Sequence, residues 1–481
     1  MDKIKKLFGG VEIPQDMNRL KFFENEIVRW RHSPERREAL DGERYYDGFH
    51  DILKRKRTVI GRGGELEEVK NLPNNRILDN QFAKMVDQKA NYLLSKPITF
   101  ETGNDKFDEA LKGVFNRQFL NKLKSGGVDS LCGGLFWLYV YYDEEGELNF
   151  QRFKPYEVLP FWKDAEHTQL DCAIRLYPVE VWEGSTLRII EKVEIFTLEG
   201  IERYVLSNNV LIPDVENPSG FYAYIGEKGY TWERIPLVCF KANAREIPLI
   251  RRVKGLQDAL NAMESDLLNN MQEDNRNTIL VIKNYDGQDL SEFRRNLSVF
   301  GAVKVKTVDG ADGGVDTLNV EVNATNYELV LKTIKKAIIE NARGFDAKDD
   351  RLGSNANMMN LRSMYSDIDL DADNMEAEYQ AAFEQLMFFV KAGLATTGKG
   401  DFSEDVKITF NRDIMVNETE VIDNLVKLGV QLPNELLVGQ VPFVNDVAEV
   451  MDMLKKEKEE SLDVYNGVVP NPTPPTEGIE E

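Results

Sequence analysis

Five acidic residues between positions 367 and 378 have the spacing of a calcium-binding loop. They occupy positions 1, 3, 5, 7 and 12 of the EF-hand pattern: Asp367, Asp369, Asp371, Asp373 and Glu378. Ala372, however, stands where that pattern requires a glycine for its sharp turn, and the apolar spacing of a helix runs through the segment. An acidic face of a long helix is therefore the favoured interpretation, and a calcium site is the alternative.

A second candidate site is the segment GLATTGKG, residues 393–400, which has the glycine and lysine spacing of a phosphate-binding P-loop. Gly400 replaces the Ser or Thr with which such a loop holds magnesium. The segment also leads from a helical pattern toward a strand pattern, whereas a P-loop leads from a strand to a helix. We therefore expect a glycine that ends a helix and no nucleotide site.

The other reactive residue types show no catalytic or metal-binding spacing. The histidines and cysteines are scattered: His32, His50, His167, Cys132, Cys172 and Cys239. The chain contains no GxSxG or HExxH motif, and the cysteines are expected to be buried free thiols. The sequence predicts no metal, no cofactor and no enzymatic activity.

The charge of the chain argues against tight binding to nucleic acid. Lys and Arg total 60 and Asp and Glu total 82, a formal net charge of −22 over 481 residues, so phosphates meet few neutralising groups. The basic run KRKR at 54–57 is interpreted as a solvated face, with a nucleic-acid patch as the alternative. No apolar run reaches membrane-spanning length and the N-terminus lacks a signal-peptide pattern, so a soluble protein is expected.

The elements that must position these residues differ between the two halves of the chain. Two helices are expected in the first sixty residues, the second starting at Ser33 and Pro34, and a third over 74–94. Short aromatic and β-branched runs from Gly133 to about Phe240 predict a mostly antiparallel sheet.

Three apolar stripes predict long helices in the second half. The first covers 248–274, the second ends near Phe345, and the third runs from Leu361 to Val390. Between the first two, residues 278–322 are expected to form a small α/β insert with strands TILVIK, AVKVKTV and TLNVEV and a helix LSEFRRNLSVF. The insert should therefore lie at the end of an antiparallel helix pair.

A polar stretch separates the second and third stripes. Residues 345–360, FDAKDDRLGSNANMMN, contain three Asp, three Asn, one Lys and one Arg, with almost nothing apolar before Met358. Residues 417–460 are again helical in pattern, after a strand at 406–412. The last 21 residues hold four prolines and no basic residue, which predicts a disordered tail.

This order of elements resembles that of the portal proteins, or head-to-tail connectors, of tailed bacteriophages, of the type found in long-tailed phages of Gram-positive bacteria. The resemblance covers roughly residues 15–460. Its more specific stretches are YYDGFHDIL (45–53), NNRILDNQFAKMVDQKANYLLSKPITF (74–100), FKPYEVLPFW (153–162) and VKITFNRDIMVNETEVIDNLVKLG (406–429).

The resemblance implies an α+β chain with the portal architecture, assembled into a ring that usually has twelve subunits. The implied regions are N-terminal helices and a mixed α/β wing (1–245), a first stem helix (246–275), an α/β clip (276–322), a second stem helix (323–345), a tunnel loop (346–357), a long wing helix and strand (358–415), a helical crown (416–460) and a disordered tail (461–481).

The family also implies partners. Double-stranded DNA would pass through the ring with transient, non-specific contacts. The large terminase subunit, the major capsid and scaffolding proteins and a head-tail adaptor would dock on it. No membrane is involved, and the location would be the virion's portal vertex, with the host cytoplasm during assembly.

The implied channel residues come from the loop and from the second stem helix. In the tunnel loop they are Asp346, Lys348, Asp349, Asp350, Arg351, Asn355 and Asn357; candidates for the stem lumen are Lys332, Lys335 and Lys336. Two alternatives remain at this point: an assembly scaffold without a DNA channel, and a metal- or nucleotide-dependent enzyme that uses the first two motifs above.

Overall fold

The computed structural model describes residues 7–8, 11–12, 18–60, 64–69, 72–225, 227–273, 279–283, 314–318, 324–346, 358–412, 438, 450–451 and 453–456. The chain divides into two compact units, one of residues 1–345 and 367–413 and one of residues 346–366 and 414–481. In the second unit, residues 358–366, 438, 450–451 and 453–456 are helical. The predicted tail, 461–481, lies outside the described residues.

The described part of the chain is α+β, as the sequence predicts. Its helices are α1 (Arg19–Arg31), α2 (Pro34–Tyr46), α3 (Gln81–Leu94), α4 (Asp105–Val114), α5 (Arg117–Gly133), α6 (Ile250–Glu273), α7 (Ala324–Asn341) and α8 (Met358–Thr396). Within the ranges that the structure describes, none of these helices combines the length and the apolar character needed to cross a membrane.

The strands of the first unit form short antiparallel sheets. They are β1 (Leu7–Phe8), β2 (Val11–Glu12), β3 (Thr58–Ile60), β4 (Leu66–Glu68), β5 (Thr99–Glu101), β6 (Leu135–Tyr142), β7 (Leu148–Phe153), β8 (Val158–Trp162), β9 (Leu170–Glu183), β10 (Thr186–Thr197), β11 (Gly200–Ser207), β12 (Val210–Pro213), β13 (Ala223–Ile225), β14 (Lys228–Tyr230), β15 (Leu237–Lys241), β16 (Ile279–Lys283), β17 (Gly314–Leu318) and β18 (Lys407–Thr409).

Two sheets confirm the antiparallel region predicted between Gly133 and Phe240. One has five strands in the order β12-β11-β10-β9-β8, and the other has three in the order β15-β6-β7. Helix α1 covers one face of the five-stranded sheet, where its Phe22 and Phe23 meet Phe161 at ring distances of 5.9 and 6.0 Å.

The main core joins the three-stranded sheet to α3, α5 and α8. Phe240 stacks on Phe136 at 4.9 Å and meets Phe383 of α8 edge-on at 5.4 Å. Gly126 allows α5 to approach this sheet, since a Cβ there would lie 2.5 Å from the Phe136 ring. Burial of these rings fixes α8, the longest of the described helices, against the sheet.

The start of α3 differs from the prediction. The helix expected over 74–94 begins at Gln81, capped by Asn80, whose Oδ1 accepts a hydrogen bond from the Ala83 N–H at 2.9 Å. Residues 72–80 contain neither helix nor strand. The helix predicted there from the apolar spacing was wrong, because side chains of α6 accept hydrogen bonds from the backbone N–H groups of that segment.

The insert between α6 and α7 is described in part. β16 and β17 pair antiparallel, with Ile279 opposite Leu318 and Lys283 opposite Gly314. The last strand was predicted at 317–322, but β17 occupies 314–318 and so begins three residues earlier. The predicted strand at 302–308 and helix at 290–300 lie outside the described residues.

Candidate functional site

Helices α6 and α7 form the antiparallel pair that the sequence predicts. Asn270 Nδ2 donates to Tyr327 Oη at 3.0 Å near one end of the pair, and Lys335 Nζ lies 3.1 Å from Glu264 Oε1 further along. The contact residue with the higher number in α6, Asn270, meets the one with the lower number in α7, Tyr327, so the two helices run in opposite directions. The end of α6 and the start of α7 flank the β16 and β17 pair in sequence.

A row of polar side chains lies on α6, at one residue per helical turn. We call it the polar ladder, and its members are Gln257, Asn261, Ser265 and Asn269. All four are fully buried. Buried polar groups are costly unless they are hydrogen-bonded, so this row must have partners.

The partners are backbone N–H groups of the segment that precedes and begins α3. The donor to acceptor distances are 2.8 Å from Asn75 to Asn269, 2.9 Å from Ile77 to Ser265, 3.1 Å from Asp79 to Asn261 and 3.0 Å from Phe82 to Gln257. Gln257 Nε2 also donates to the carbonyl of Asp79 at 2.7 Å. The segment thus hydrogen-bonds to helix side chains in place of a neighbouring strand.

The spacing of the polar ladder matches the spacing of an extended chain. Four residues of α-helix rise about 6 Å, and two residues of extended chain advance about 6.6 Å. Alternate N–H groups at 75, 77 and 79 therefore meet successive turns of α6. The signal in the sequence is the recurrence of Gln, Asn, Ser and Asn every four residues, on a face of α6 that the apolar stripe does not include.

A buried histidine, His50, completes this network. Its Nδ1 accepts from Asn261 Nδ2 at 2.8 Å, its Nε2–H donates to the carbonyl of Tyr45 at 2.9 Å, and its ring stacks on Tyr45 at 4.3 Å. Burial lowers the pKa of His50 below its ordinary value of 6.5. The neutral imidazole fits both hydrogen bonds, whereas a protonated ring would direct a second N–H at the Asn261 amide.

One carboxylate ties four elements together where α7 ends. Asp371 of α8 accepts from Lys89 of α3 at 2.9 Å, from Arg252 of α6 at 2.8 Å and from Arg343, just beyond α7, at 2.8 Å. We call this group the Asp371 clamp. Burial opposes ionisation of Asp371, but the three cations outweigh it and lower the pKa of the carboxyl. Lys89 is only 5% exposed.

The C-terminus of α7 has an unusual residue in its cap. The N–H of Gly344 donates to Ile339 O and that of Arg343 to Glu340 O, both in the pattern of a Schellman motif. The residue in the left-handed region is Arg343, with φ 52°, where glycine is usual. An arginine is explained there by its side chain, which reaches Asp371.

The segment after this cap is held on α3 as well. Gln88 makes two backbone hydrogen bonds to Phe345, each 2.8 Å, and Lys89 Nζ donates to Arg343 O at 3.0 Å. Gly344 packs tightly, since a Cβ there would lie 2.4 Å from Met85 Sδ. The chain therefore leaves the first unit at a fixed point immediately before the predicted tunnel loop.

The three predicted stem lysines differ in their ion pairing and exposure. Lys335 is ion-paired to Asp79 at 2.8 Å and to Glu264 at 3.1 Å, which makes it a bridge within the chain. Lys336 is exposed and lies 3.8 Å from Glu340, and Lys332 is exposed.

Of the predicted loop residues, only Asp346 is described. Lys348, Asp349, Asp350, Arg351, Asn355 and Asn357 lie outside the described residues.

The acidic stretch 367–378 is helical throughout, which confirms the favoured interpretation over the calcium loop. Four of its acids pair with cations of the fold: Asp371 in the clamp, and Asp369, Asp373 and Glu376, which all form ion pairs with Arg412. In the part of the chain that the structure describes, no group of three or more metal-ligating side chains is placed to hold an ion.

The P-loop-like segment confirms the expected glycine stop. Gly398, with φ 72°, ends α8 in a Schellman motif in which Lys399 N donates to Leu394 O. The Lys399 ammonium forms an ion pair with Glu147. The segment therefore has the geometry of a helix end.

The basic run at 54–57 is largely neutralised by acids of this chain. Arg55 pairs with Asp266 at 2.7 Å and Lys56 with Glu68 at 3.0 Å. The three cysteines are buried free thiols, as expected.

Comparisons with known proteins agree with the resemblance to portal proteins that the sequence suggests. The family model described as "Phage portal protein, SPP1 Gp6-like" matches residues 27–463. The portal protein of Bacillus phage SPP1 is 27% identical over 445 residues, which are 91% of this chain and 86% of that protein. The portal protein of Clostridium phage phiCD119 is 27% identical over 436 residues, 88% of this chain and 93% of that protein. This chain therefore belongs to the SPP1 Gp6-like family of phage portal proteins.

Proposed function

We propose that the chain forms a homo-oligomeric ring at one vertex of a tailed-phage capsid and that double-stranded DNA passes through this ring during packaging and ejection. The observation that carries the proposal is the family match over residues 27–463. The role is structural, with no chemical step assigned to any residue. Helices α6 and α7 are the proposed stem, the insert between them the clip, and residues 346–357 the tunnel loop.

A channel of this kind must not hold its DNA. Each phosphate that a Lys or Arg neutralises adds affinity through the release of counterions, so a wall that slides along DNA needs few free cations. The net charge of −22 fits that requirement. Lys335 is occupied by Asp79 and Glu264, which leaves the exposed Lys332 and Lys336 as the stem lysines proposed for transient contacts.

The chain is held in place immediately before the proposed tunnel loop. Gln88, Lys89 and Asp371 hold Arg343 and Phe345, at the end of the first of the two segments that form the first unit. Force from DNA on a loop that begins here would reach α8 through the ion pair between Arg343, just beyond α7, and Asp371.

The remaining partners follow from the same proposal. The clip is the proposed dock for the large terminase subunit during packaging and for the head-tail adaptor afterwards, and the major capsid and scaffolding proteins surround the ring. Assembly takes place in the host cytoplasm, and the finished ring belongs to the virion.

Reversal of charge in the loop tests the channel. Asp349→Lys with Asp350→Lys should leave the ring intact but slow or block packaging, because the added cations would hold the phosphates. The readout is nuclease-protected DNA per capsid together with ring mass. Glu65→Lys with Glu67→Lys, at exposed positions just before and within β4, makes the same change in charge elsewhere. Normal DNA yield from the loop variant, or equal loss from both, would contradict the channel.

A further inference from the structure

An aromatic cleft of about 950 Å³ lies on the first unit, away from the helix pair and the clamp. Its walls are the turn between β6 and β7, the hairpin of β13 and β14 with the residues after it, and the last turns of α8. We call it the aromatic cleft, and its exposed or half-exposed rings are Tyr142, Tyr224, Tyr230, Trp232 and Phe388.

Carboxylates line the same cleft without basic residues among them. They are Asp143, Glu144, Glu145, Glu147 and Glu233, and among the described residues the lining contains no Lys, Arg or His. Asp143 is used by the fold, because it accepts from the N–H groups of Glu145 and Glu147. Glu147 pairs with Lys399.

The other three acids are available to a partner. Glu144, Glu145 and Glu233 are exposed, and within the described ranges no cation of this chain forms a salt bridge with any of them. Exposed carboxylates alone are ordinary solvated groups. Here they stand beside aromatic faces, and that combination selects a ligand class.

Two rings at this cleft already have a cation of this chain over one face. Lys228 Nζ lies 5.4 Å from the centroid of Tyr230, and the Arg234 guanidinium carbon lies 4.4 Å from that of Phe388. Tyr224 is 59% exposed and Tyr230 is 40% exposed, so both offer ring surface to a second molecule. Ring faces attract ammonium and guanidinium groups through the quadrupole of the ring.

We propose that the aromatic cleft binds a segment of another protein that is rich in Lys and Arg. The aliphatic stems of such side chains would lie on Tyr224 and Tyr230, and their charged ends would reach Glu144, Glu145 and Glu233. An apolar segment would bury these carboxylates without partners, and an anionic one would be repelled. The basic run of this chain at 54–57 is paired internally, so it does not supply that segment.

The binding experiment uses the full-length protein and a fluorescein-labelled peptide of alternating Arg and Ser. Fluorescence anisotropy at physiological salt should show saturable binding, and a peptide of alternating Glu and Ser should not bind. Glu144→Gln with Glu145→Gln and Glu233→Gln should weaken binding about tenfold, since three exposed ion pairs are lost.

The matched control removes the same charge from other places. Glu65→Gln with Glu67→Gln and Glu180→Gln also neutralises three exposed acids and should change the affinity less than about twofold. A second variant, Tyr224→Leu with Tyr230→Leu, keeps the charge and should weaken binding several-fold through the lost ring faces. Thermal unfolding by circular dichroism checks that all variants fold. No binding by the wild type, equal loss in the two acid variants, or full affinity without the two rings would overturn the proposal.

Discussion

Asp371 has the position of a calcium ligand in the EF-hand spacing, but in the structure its partners are three cations of the same chain. Its place in the EF-hand spacing depends on counting acids, whereas the structure places it opposite three cations from three other elements. No spacing within one helix could have predicted partners at positions 89, 252 and 343. The sequence predicted the helix but not the cation partners of Asp371.

Asp371→Asn tests the clamp. Removal of the carboxylate leaves the buried Lys89 without its counterion, so we expect a loss of about 2 to 3 kcal/mol in the free energy of unfolding, below the value for fully buried pairs because Arg252 and Arg343 are partly exposed. Urea unfolding measures it. Asp373→Asn, at a more exposed acid of the same helix, should cost about 1 kcal/mol or less.

The pH dependence of this variant has a definite sign. Since the folded protein lowers the pKa of Asp371 below its ordinary 3.8, the ionised carboxylate stabilises the fold above that pH, and the benefit is lost as the pH falls through the folded value. The stability difference between wild type and variant should therefore narrow at acid pH. A difference that is constant with pH would contradict the ionic nature of the clamp.

His50 gives a second pH effect, at higher pH. Its pKa is lowered in the folded protein by burial, so the unfolded chain takes up a proton first, and stability should decrease as the pH falls below about 6.5. Between about pH 7.5 and about pH 5.5 this one group contributes a loss of at most about 1.4 kcal/mol.

The variant His50→Gln isolates that contribution. It should be less stable than wild type at about pH 7.5, because the acceptor for Asn261 is lost, and it should lose less stability on acidification. Chemical unfolding at the two pH values gives both quantities. His32→Gln, at an exposed histidine, should keep the wild-type pH dependence; an identical response in His50→Gln and wild type would exclude His50 as the titrating group.

At the scale of elements, periodicity predicted most helices and failed where two elements share hydrogen bonds. The stripes gave α6 at 250–273 and α8 at 358–396 close to their predicted places. The segment 74–80 has the same apolar spacing but is held by side chains of a helix almost two hundred residues later. Hydrogen bonds from backbone N–H groups to a helix distant in sequence thus outweigh the helical preference of the local apolar spacing.

Removal of one polar side chain from the polar ladder should lower the free energy of unfolding. Asn261→Ala would leave the Asp79 N–H and His50 Nδ1 without partners in a buried place, so the free energy of unfolding should fall by about 2 to 4 kcal/mol. Asn270→Ala on the same helix removes one partly buried hydrogen bond, to Tyr327, and should cost about 1 kcal/mol. Thermal and urea unfolding measure both variants. Equal costs would mean that the ladder contributes little to stability.

At the scale of the whole molecule, the order of elements was more informative than any motif. Both motifs that resembled active sites are helical or end a helix, and several of their charged residues, among them Asp371, Asp373 and Lys399, pair within the fold. The predicted order of sheet region, helix, insert, helix, polar loop and long helix suggested the portal family, and the model of that family matches residues 27–463. Residues that would line a channel depend on neighbouring subunits, which no single-chain pattern encodes.

The most direct test of the proposed function is electron microscopy of the purified full-length chain in negative stain, with mass photometry of the same sample. The account predicts closed rings of one copy number with a central hole wide enough for a DNA duplex. A compact dimer of fixed mass would contradict it, and so would a chain that stays monomeric when it is produced together with the major capsid and scaffolding proteins.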